Sequence, residues 1–260
     1  RKDVLATHCY EFNNITKPFN DVKVRKAFNY AINKKKLIEN TLDNQGRIGL
    51  KGIVPNIKLF KNYNYDSISG YPYNPEKAAK LLSDAGYPNG ENFPEVVLEL
   101  NIASPTQIEV AKEIQSQLHM ALNINITIEQ INMSTLINRA ALGLSQMNHF
   151  TWVSEYPSPA DFLNVFYGDN LPKDLSERSW PNTSRYSNKK YDQLLKKAIS
   201  TTDESERYNL FSQAEKIMIE DAPVAVLWYP EIYNIYHSSI KNLSFNELFY
   251  YDFSTVYISK

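Results

Sequence analysis

Cysteine is almost missing: Cys9 is the only one among 260 residues. No intrachain disulfide can form, and every Cys-rich metal motif is excluded. Cys9 lies in an apolar, alternating segment, where a buried and inert thiol is expected. Glycine is scarce at 8 residues, and neither a G-x-x-x-x-G-K-[ST] loop nor a G-x-G-x-x-G turn occurs. There is no G-x-S-x-G elbow and no H-E-x-x-H helix, and the spacing of His8, His119, His149 and His237 predicts no metal site. Carboxylates are plentiful, but nothing singles out one pair as a hydrolase dyad. The chain therefore reads as a non-enzyme without a cofactor. No run of 18 apolar residues exists, so no segment reads as a membrane-spanning helix. No signal peptide is visible, and the start at Arg1 suggests a piece of something longer. A basic surplus is missing too, since the formal net charge is −1. That argues against a nucleic-acid partner. Lys34-Lys35-Lys36 is read as a solvated helix face, because no second basic cluster supports it.

What is present is ordinary for a folded chain: 43% hydrophobic and 22% charged residues, with 18 tyrosines. Ala6 to Asn13 reads as a strand with Glu11 near its end. Asn20 or Asp21 then caps a helix whose apolar face is Val24, Ala27, Phe28, Ala31 and Ile32. Ile48 to Pro75 is irregular and reads as a long surface loop. Asn74-Pro75 opens a helix that Gly86 stops. From Glu95 to Ser154 the order is strand, helix, strand, helix, strand, with caps at Ser104-Pro105 and a helix from Ser134 to Leu142. That order predicts an α/β fold with parallel neighbours joined by right-handed crossovers. Ser187, then Asp203 or Ser205, cap two late helices, and Pro223 to Tyr229 reads as a strand. Asp169 to Arg185 is polar and loop-like, and Thr255 to Ser259 has the pattern of a last strand.

The stretch from Phe150 to Leu163 concentrates the chemistry. An aromatic strand ends at Glu155, a turn with Pro157 and Pro159 follows, and Ser158 caps the next helix. In sheets flanked by helices, ligands bind beyond the strand ends. A carboxylate there, between Trp152 and Tyr156, can hold a cationic group. A solvated turn acid satisfies the local sequence equally well.

Four ordered segments resemble the extracellular solute-binding proteins of family 5, the oligopeptide- and dipeptide-binding components of ABC importers. They are Pro18 to Asn33, Tyr73 to Tyr87, Trp152 to Leu163, and Glu220-Asp221-Ala222-Pro223-Val224. The resemblance implies one lobe of a periplasmic-binding-protein type II-like fold: a mixed, mostly parallel sheet with flanking helices. It places the C-terminal lobe at residues 1–230 and, at 231–260, a tail that returns to an N-terminal lobe. It implies a peptide ligand, permease subunits as partners, and a periplasmic or cell-surface, lipid-anchored protein. Glu155, one methylene longer than the family's aspartate, is implied to pair with the ligand's α-ammonium. Backbone groups of Val153 are implied to pair with an extended peptide. Trp152, Tyr156, Glu11 and Tyr229 complete the implied ligand contacts, with a structural role standing as the alternative for Trp152, Glu11 and Tyr229. The same resemblance leaves nickel chelates, haem and sugars open as cargo, and a carboxylate-based hydrolase or a ligand-free scaffold module as rivals.

Overall fold

The computed structural model describes residues 2–248 and 250–259. A short strand β1 (Lys2–Asp3) precedes β2 (Ala6–Phe12), α1 (Val22–Ala31) and a short α2 (Lys34–Lys36). Next come β3 (Arg47–Ile48), α3 (Pro75–Asp84), β4 (Val96–Asn101), α4 (Pro105–Leu122) and β5 (Ile126–Ile131). The chain continues through α5 (Met133–Ala141), β6 (Met147–Val153), α6 (Pro159–Leu163), α7 (Lys189–Ser200), α8 (Glu204–Asp221), β7 (Val224–Tyr229) and β8 (Glu231–Ile232).

Local chemistry explains the helix starts. The Asp21 carboxylate accepts from the Lys23 N–H at 2.8 Å, and Asn74 accepts from the Lys77 N–H at 2.9 Å ahead of Pro75. Asp203 caps α8 by accepting from the Glu206 N–H at 2.7 Å. Two caps sit beside the expected positions: Asn188 rather than Ser187 begins α7, and Asn132 begins α5. In both cases an asparagine amide oxygen accepts from the free N–H groups of the first turn.

The six-stranded sheet has the order β3-β7-β2-β6-β4-β5. The expected parallel set holds: β4 pairs parallel with both β5 and β6. The sheet as a whole is mixed but not mostly parallel, because β2 runs antiparallel to both β6 and β7, and β3 antiparallel to β7. Only strands joined by a helical crossover are obliged to be parallel. β2 and β7 come from opposite ends of the chain and are under no such constraint.

Both faces of the sheet are buried at β2 and β7. Tyr10, Phe12, Leu98 and Leu227 pack with α1, α3 and α4 on one face. Cys9, Val224 and Val226 pack with α6, α7 and α8 on the other. Burial at 5% exposure or less along all of β7 accounts for its near-continuous apolar run.

Two expectations fail here. The segment from 48 to 75 is not a surface loop: Ile53, Val54, Ile57, Phe60, Tyr63 and Tyr71 are buried against α8. Glu215 of α8 accepts from the Val54 N–H at 2.8 Å and from the Tyr63 hydroxyl at 2.6 Å. Irregular backbone is buried because a side chain satisfies it. Lys34 is not on a solvated face either; it is 2% exposed, and its ammonium donates to the Gly49 carbonyl at 3.0 Å. Burial pulls its pKa down to about 7.

The tail carries β9 (Ile240–Lys241), β10 (Ser244–Phe245), β11 (Tyr251–Asp252) and β12 (Tyr257–Ile258). β9 pairs with β12 and β10 with β11, while β8 pairs with β1. β12 occupies the centre of the strand expected at Thr255 to Ser259. The Leu5 N–H donates to the Glu247 carbonyl at 2.9 Å, which ties the tail to the start of β2. Ile235, Phe253 and Ile258 lie open to solvent.

Candidate functional site

β4 stands between β5 and β6, so the chain leaves it in one direction through α4 and crosses back through α5. Right-handed crossovers in opposite directions put the two helices on opposite faces of the sheet. A crevice opens where they diverge, outside the C-terminal ends of β4 and β6. A pocket of about 230 Å³ occupies it, walled by β6 from Asn148 to Trp152, by α5, by Gln107 of α4, and by Trp180 and Thr183.

β6 presents an unfilled backbone edge to this pocket. The Asn13 N–H donates to the Gln146 carbonyl at 2.9 Å, and the Ser154 N–H to the Leu5 carbonyl at 2.8 Å. The register is continuous from Ala6 opposite Val153 to Phe12 opposite Met147. Alternation along an antiparallel pair therefore turns the backbone groups of residues 148, 150 and 152 toward β2. Those of Met147, His149, Thr151 and Val153 face the other way. β4 engages that edge only at Met147 and Asn148. The N–H and C=O of Thr151 and Val153 face no strand, which is the template for an added one.

The turn after β6 is organised by Asp161, a residue not singled out from the sequence. Asp161 is 5% exposed. It accepts from the Trp152 indole N–H at 2.8 Å and from the Glu155 backbone N–H at 3.2 Å, both on the same oxygen. The signal for it was visible as Ser158-x-x-Asp161, the spacing of a capping box. Its carboxylate is spent on the turn instead of on the cap. Ser154 closes the turn by donating to the Tyr156 carbonyl at 2.6 Å. Glu155, Val153 and Tyr156 are exposed, and Glu155 forms no ion pair with a described residue. Burial, then the charges of Asp161 and Glu155, push the Tyr156 phenol up. Tyr156 lines a larger and more open groove, of about 540 Å³, with Arg207 and Phe211.

Glu11 lies beneath the pocket, opposite Asn148 across the β2–β6 pair, and is 1% exposed. The Thr183 hydroxyl donates to one carboxyl oxygen at 2.5 Å, and the other oxygen has no partner. Burial pushes Glu11 up to about 7, while the Thr183 bond and the Arg185 charge pull the other way. Arg185 is buried and grips carbonyls of Ala140 at 3.1 Å, Ala141 at 2.9 Å and Thr183 at 3.1 Å. It joins the end of α5 to the loop bearing Thr183 and so holds two pocket walls together. Gly143 makes room for it: its φ is +72°, and a Cβ there would sit 2.7 Å from the guanidinium carbon. Within the stretch expected to be polar and loop-like, Ser179 and residues 182–186 are buried while Trp180 is exposed, and the loop is knitted by its own side chains through Asn182.

His8 and His149 meet across the sheet at 3.2 Å, with the Thr151 hydroxyl 2.9 Å from His8. His8 also stacks on Trp228 at 4.1 Å. Burial lowers His8 to about 4, and burial with its neighbour lowers His149 to about 3. Both rings are neutral at pH 7. Among the described residues no cluster of three or more His, Cys, Asp or Glu forms a metal site.

Of the residues implied as ligand contacts, Trp152 lines the pocket, Val153 continues its open edge, and Glu155 and Tyr156 follow on the turn. Glu11 reaches the pocket only through Thr183. Tyr229 is 5% exposed, and its hydroxyl donates to the Gly52 carbonyl at 2.5 Å, within the core. Gln107, Thr183 and Arg185 escaped the sequence reading because they come from segments whose proximity only the fold creates.

Comparison with known proteins places this architecture. Residues 1–173 match the model for "Bacterial extracellular solute-binding proteins, family 5 Middle". Heme-binding protein A of Haemophilus influenzae is 32% identical over 225 residues, covering 86% of this chain and 38% of that protein. The periplasmic oligopeptide-binding protein OppAIV of Borrelia burgdorferi superposes with a TM-score of 0.77 at 34% identity, covering 88% of this chain and 43% of that one. The periplasmic binding protein DppA of Helicobacter pylori, solved with the peptide STSA, superposes with a TM-score of 0.80 at 28% identity, covering 100% of this chain and 48% of that one. The chain thus spans less than half the length of each of these three relatives. All three are described as binding proteins, and among the described residues no helix is long and apolar enough to cross a membrane. On this sequence match and this fold, the chain belongs to the bacterial extracellular solute-binding proteins of family 5.

Proposed function

We propose that this chain is the C-terminal lobe, residues 1–230 with a returning tail at 231–260, of a binding protein that captures peptides for an ABC importer. Phe249 and the two chain ends lie outside the described residues. The single observation that carries the reading is the free edge of β6. Thr151 and Val153 offer N–H and C=O groups beside a pocket, so an extended peptide adds as a strand and its main chain supplies the bonds. Glu155, two residues beyond that edge and exposed, holds the ligand's ammonium. Trp152, fixed by Asp161, and Tyr156 flank it. Closure of a second lobe over the site desolvates the charge pair and strengthens it. The role is capture without chemistry, with permease subunits as partners and a lipid anchor outside the cytoplasm.

Non-peptide cargo is the second reading, and the haem-binding relative stands behind it. A free strand edge favours a peptide, because a porphyrin or a sugar offers no main chain to pair with it. Amide hydrogen exchange on the full-length protein tests the reading. With a mixture of short peptides present, the Thr151 and Val153 amides slow by tenfold or more. Unchanged exchange at both amides in the presence of bound peptide contradicts strand addition.

A further inference from the structure

The pocket beside β6 has a chemical preference of its own. At about 230 Å³ it is smaller than the roughly 300–1,000 Å³ of a site for a whole small-molecule ligand. It suits one side chain. Leu136, Ile137 and Ala140 of α5, with Trp152 and Trp180, make its walls largely apolar. Among the described residues no Asp, Glu, Lys or Arg lines it. A charged side chain entering it would lose its hydration without gaining an opposite charge.

Asn148, His149, Thr151, Gln107 and Thr183 bring polar groups to the lining, and two of their atoms stand out as acceptors. Gln107 Oε1 is buried and has no hydrogen-bond partner among the described residues. Gln107 is the third helical residue of α4, after Ser104 and Pro105, a position whose glutamine normally reaches back to the N-cap N–H. Here the Ser104 N–H donates to the Asn101 carbonyl at 3.3 Å instead, and the Ser104 side chain makes no cap bond. The glutamine oxygen is released from capping, in a residue that lines the pocket. The second acceptor is Thr183 Oγ1. Its proton is committed to Glu11, so only its lone pairs remain for a guest. A buried acceptor without a donor is costly, and a guest that brings an N–H or O–H relieves it.

Resting on the peptide reading above, we propose that this pocket is a specificity subsite for an aromatic side chain carrying a donor, tryptophan or tyrosine, with Gln107 as the residue that reads the donor. A strand added along Thr151 and Val153 projects alternate side chains to one side, so one of them enters the pocket. The indole N–H or the phenol O–H then meets Gln107 Oε1 while the ring packs on Leu136, Ile137 and Trp180.

Calorimetry on the full-length protein tests this with peptides identical except at one residue: tryptophan, naphthylalanine, tyrosine, phenylalanine, lysine or glutamate, scanned along the sequence. The tryptophan peptide binds about tenfold tighter than its naphthylalanine counterpart, which has the ring area but no donor. Tyrosine exceeds phenylalanine in the same sense, and lysine and glutamate bind weakest. Gln107→Leu abolishes the tryptophan preference while keeping the affinity for phenylalanine, and that retained affinity shows the variant is folded. Equal binding of all side chains, or a tryptophan preference that survives Gln107→Leu, overturns the subsite and leaves peptide capture standing. Binding of no peptide at any position overturns the peptide reading and the subsite with it.

Discussion

Asp161 accepts two hydrogen bonds on one buried oxygen and so fixes the indole of Trp152 and the backbone of Glu155. Hydrogen bonds to a charged acceptor contribute roughly 1.5–3 kcal/mol each, and removing the acceptor leaves two donors unsatisfied. Asp161→Ala is therefore expected to destabilise the protein by about 2–4 kcal/mol in urea unfolding and to weaken peptide binding. Unchanged stability would mean that the turn is held by something else. At this scale the sequence was readable in part. Glu155 was visible because it follows an aromatic strand and precedes a capped helix. Asp161 was masked by its place in a capping-box spacing, where an acid has an obvious local duty. Gln107 was masked in the same way. Glu11 and Tyr229 were visible as polar groups on strands, but facing a cleft and facing a core look alike in a strand buried on both sides.

At the scale of elements, local chemistry named most helices and strands, because caps, prolines and apolar periodicity are written into adjacent residues. It failed on the segment from 48 to 75, whose burial depends on Glu215, more than 140 residues away. It gave no direction for β2, which runs against both β6 and β7 and pairs with them across the length of the chain. The β2–β6 pair carries a titration signature of its own. His8 and His149 are held below their unfolded value near 6.5, at about 4 and about 3. As pH falls below 6.5 the unfolded chain takes up protons that the fold refuses, so the unfolded state gains and stability drops. Glu11 and Glu215, raised to about 7, act in the opposite sense: the fold takes up their protons as pH falls from 7 toward 4.5, which favours the fold. The parent's stability is consequently expected to change little between pH 6.5 and 4.5. A His8→Gln, His149→Gln variant lacks the opposing loss, roughly 3 kcal/mol from His8 alone by pH 4, and gains stability over that range relative to its value at pH 7. Parallel stability profiles for parent and variant, measured by urea unfolding at a series of pH values, would show that these rings do not carry the effect.

For the whole molecule, the proposed reading makes this fold half of a binding device. The free edge of β6, the polar turn at Glu155 and the pocket between α4 and α5 all open outside the C-terminal ends of β4 and β6. Function at this scale was legible chiefly through resemblance, since no catalytic or metal motif exists for composition or spacing to reveal. What stayed hidden was the pocket's lining, because its walls meet only after residues near 107, 137, 150 and 181 are brought together. The central claim is that the captured ligand is a peptide whose free amine is held by Glu155. Calorimetry of the full-length protein with the same peptides, free and N-acetylated, tests it most directly. Acetylation removes the charge, so the acetylated peptides bind at least tenfold more weakly to the parent, and Glu155→Gln narrows that gap. Equal binding of the free and acetylated peptides to the parent contradicts the claim.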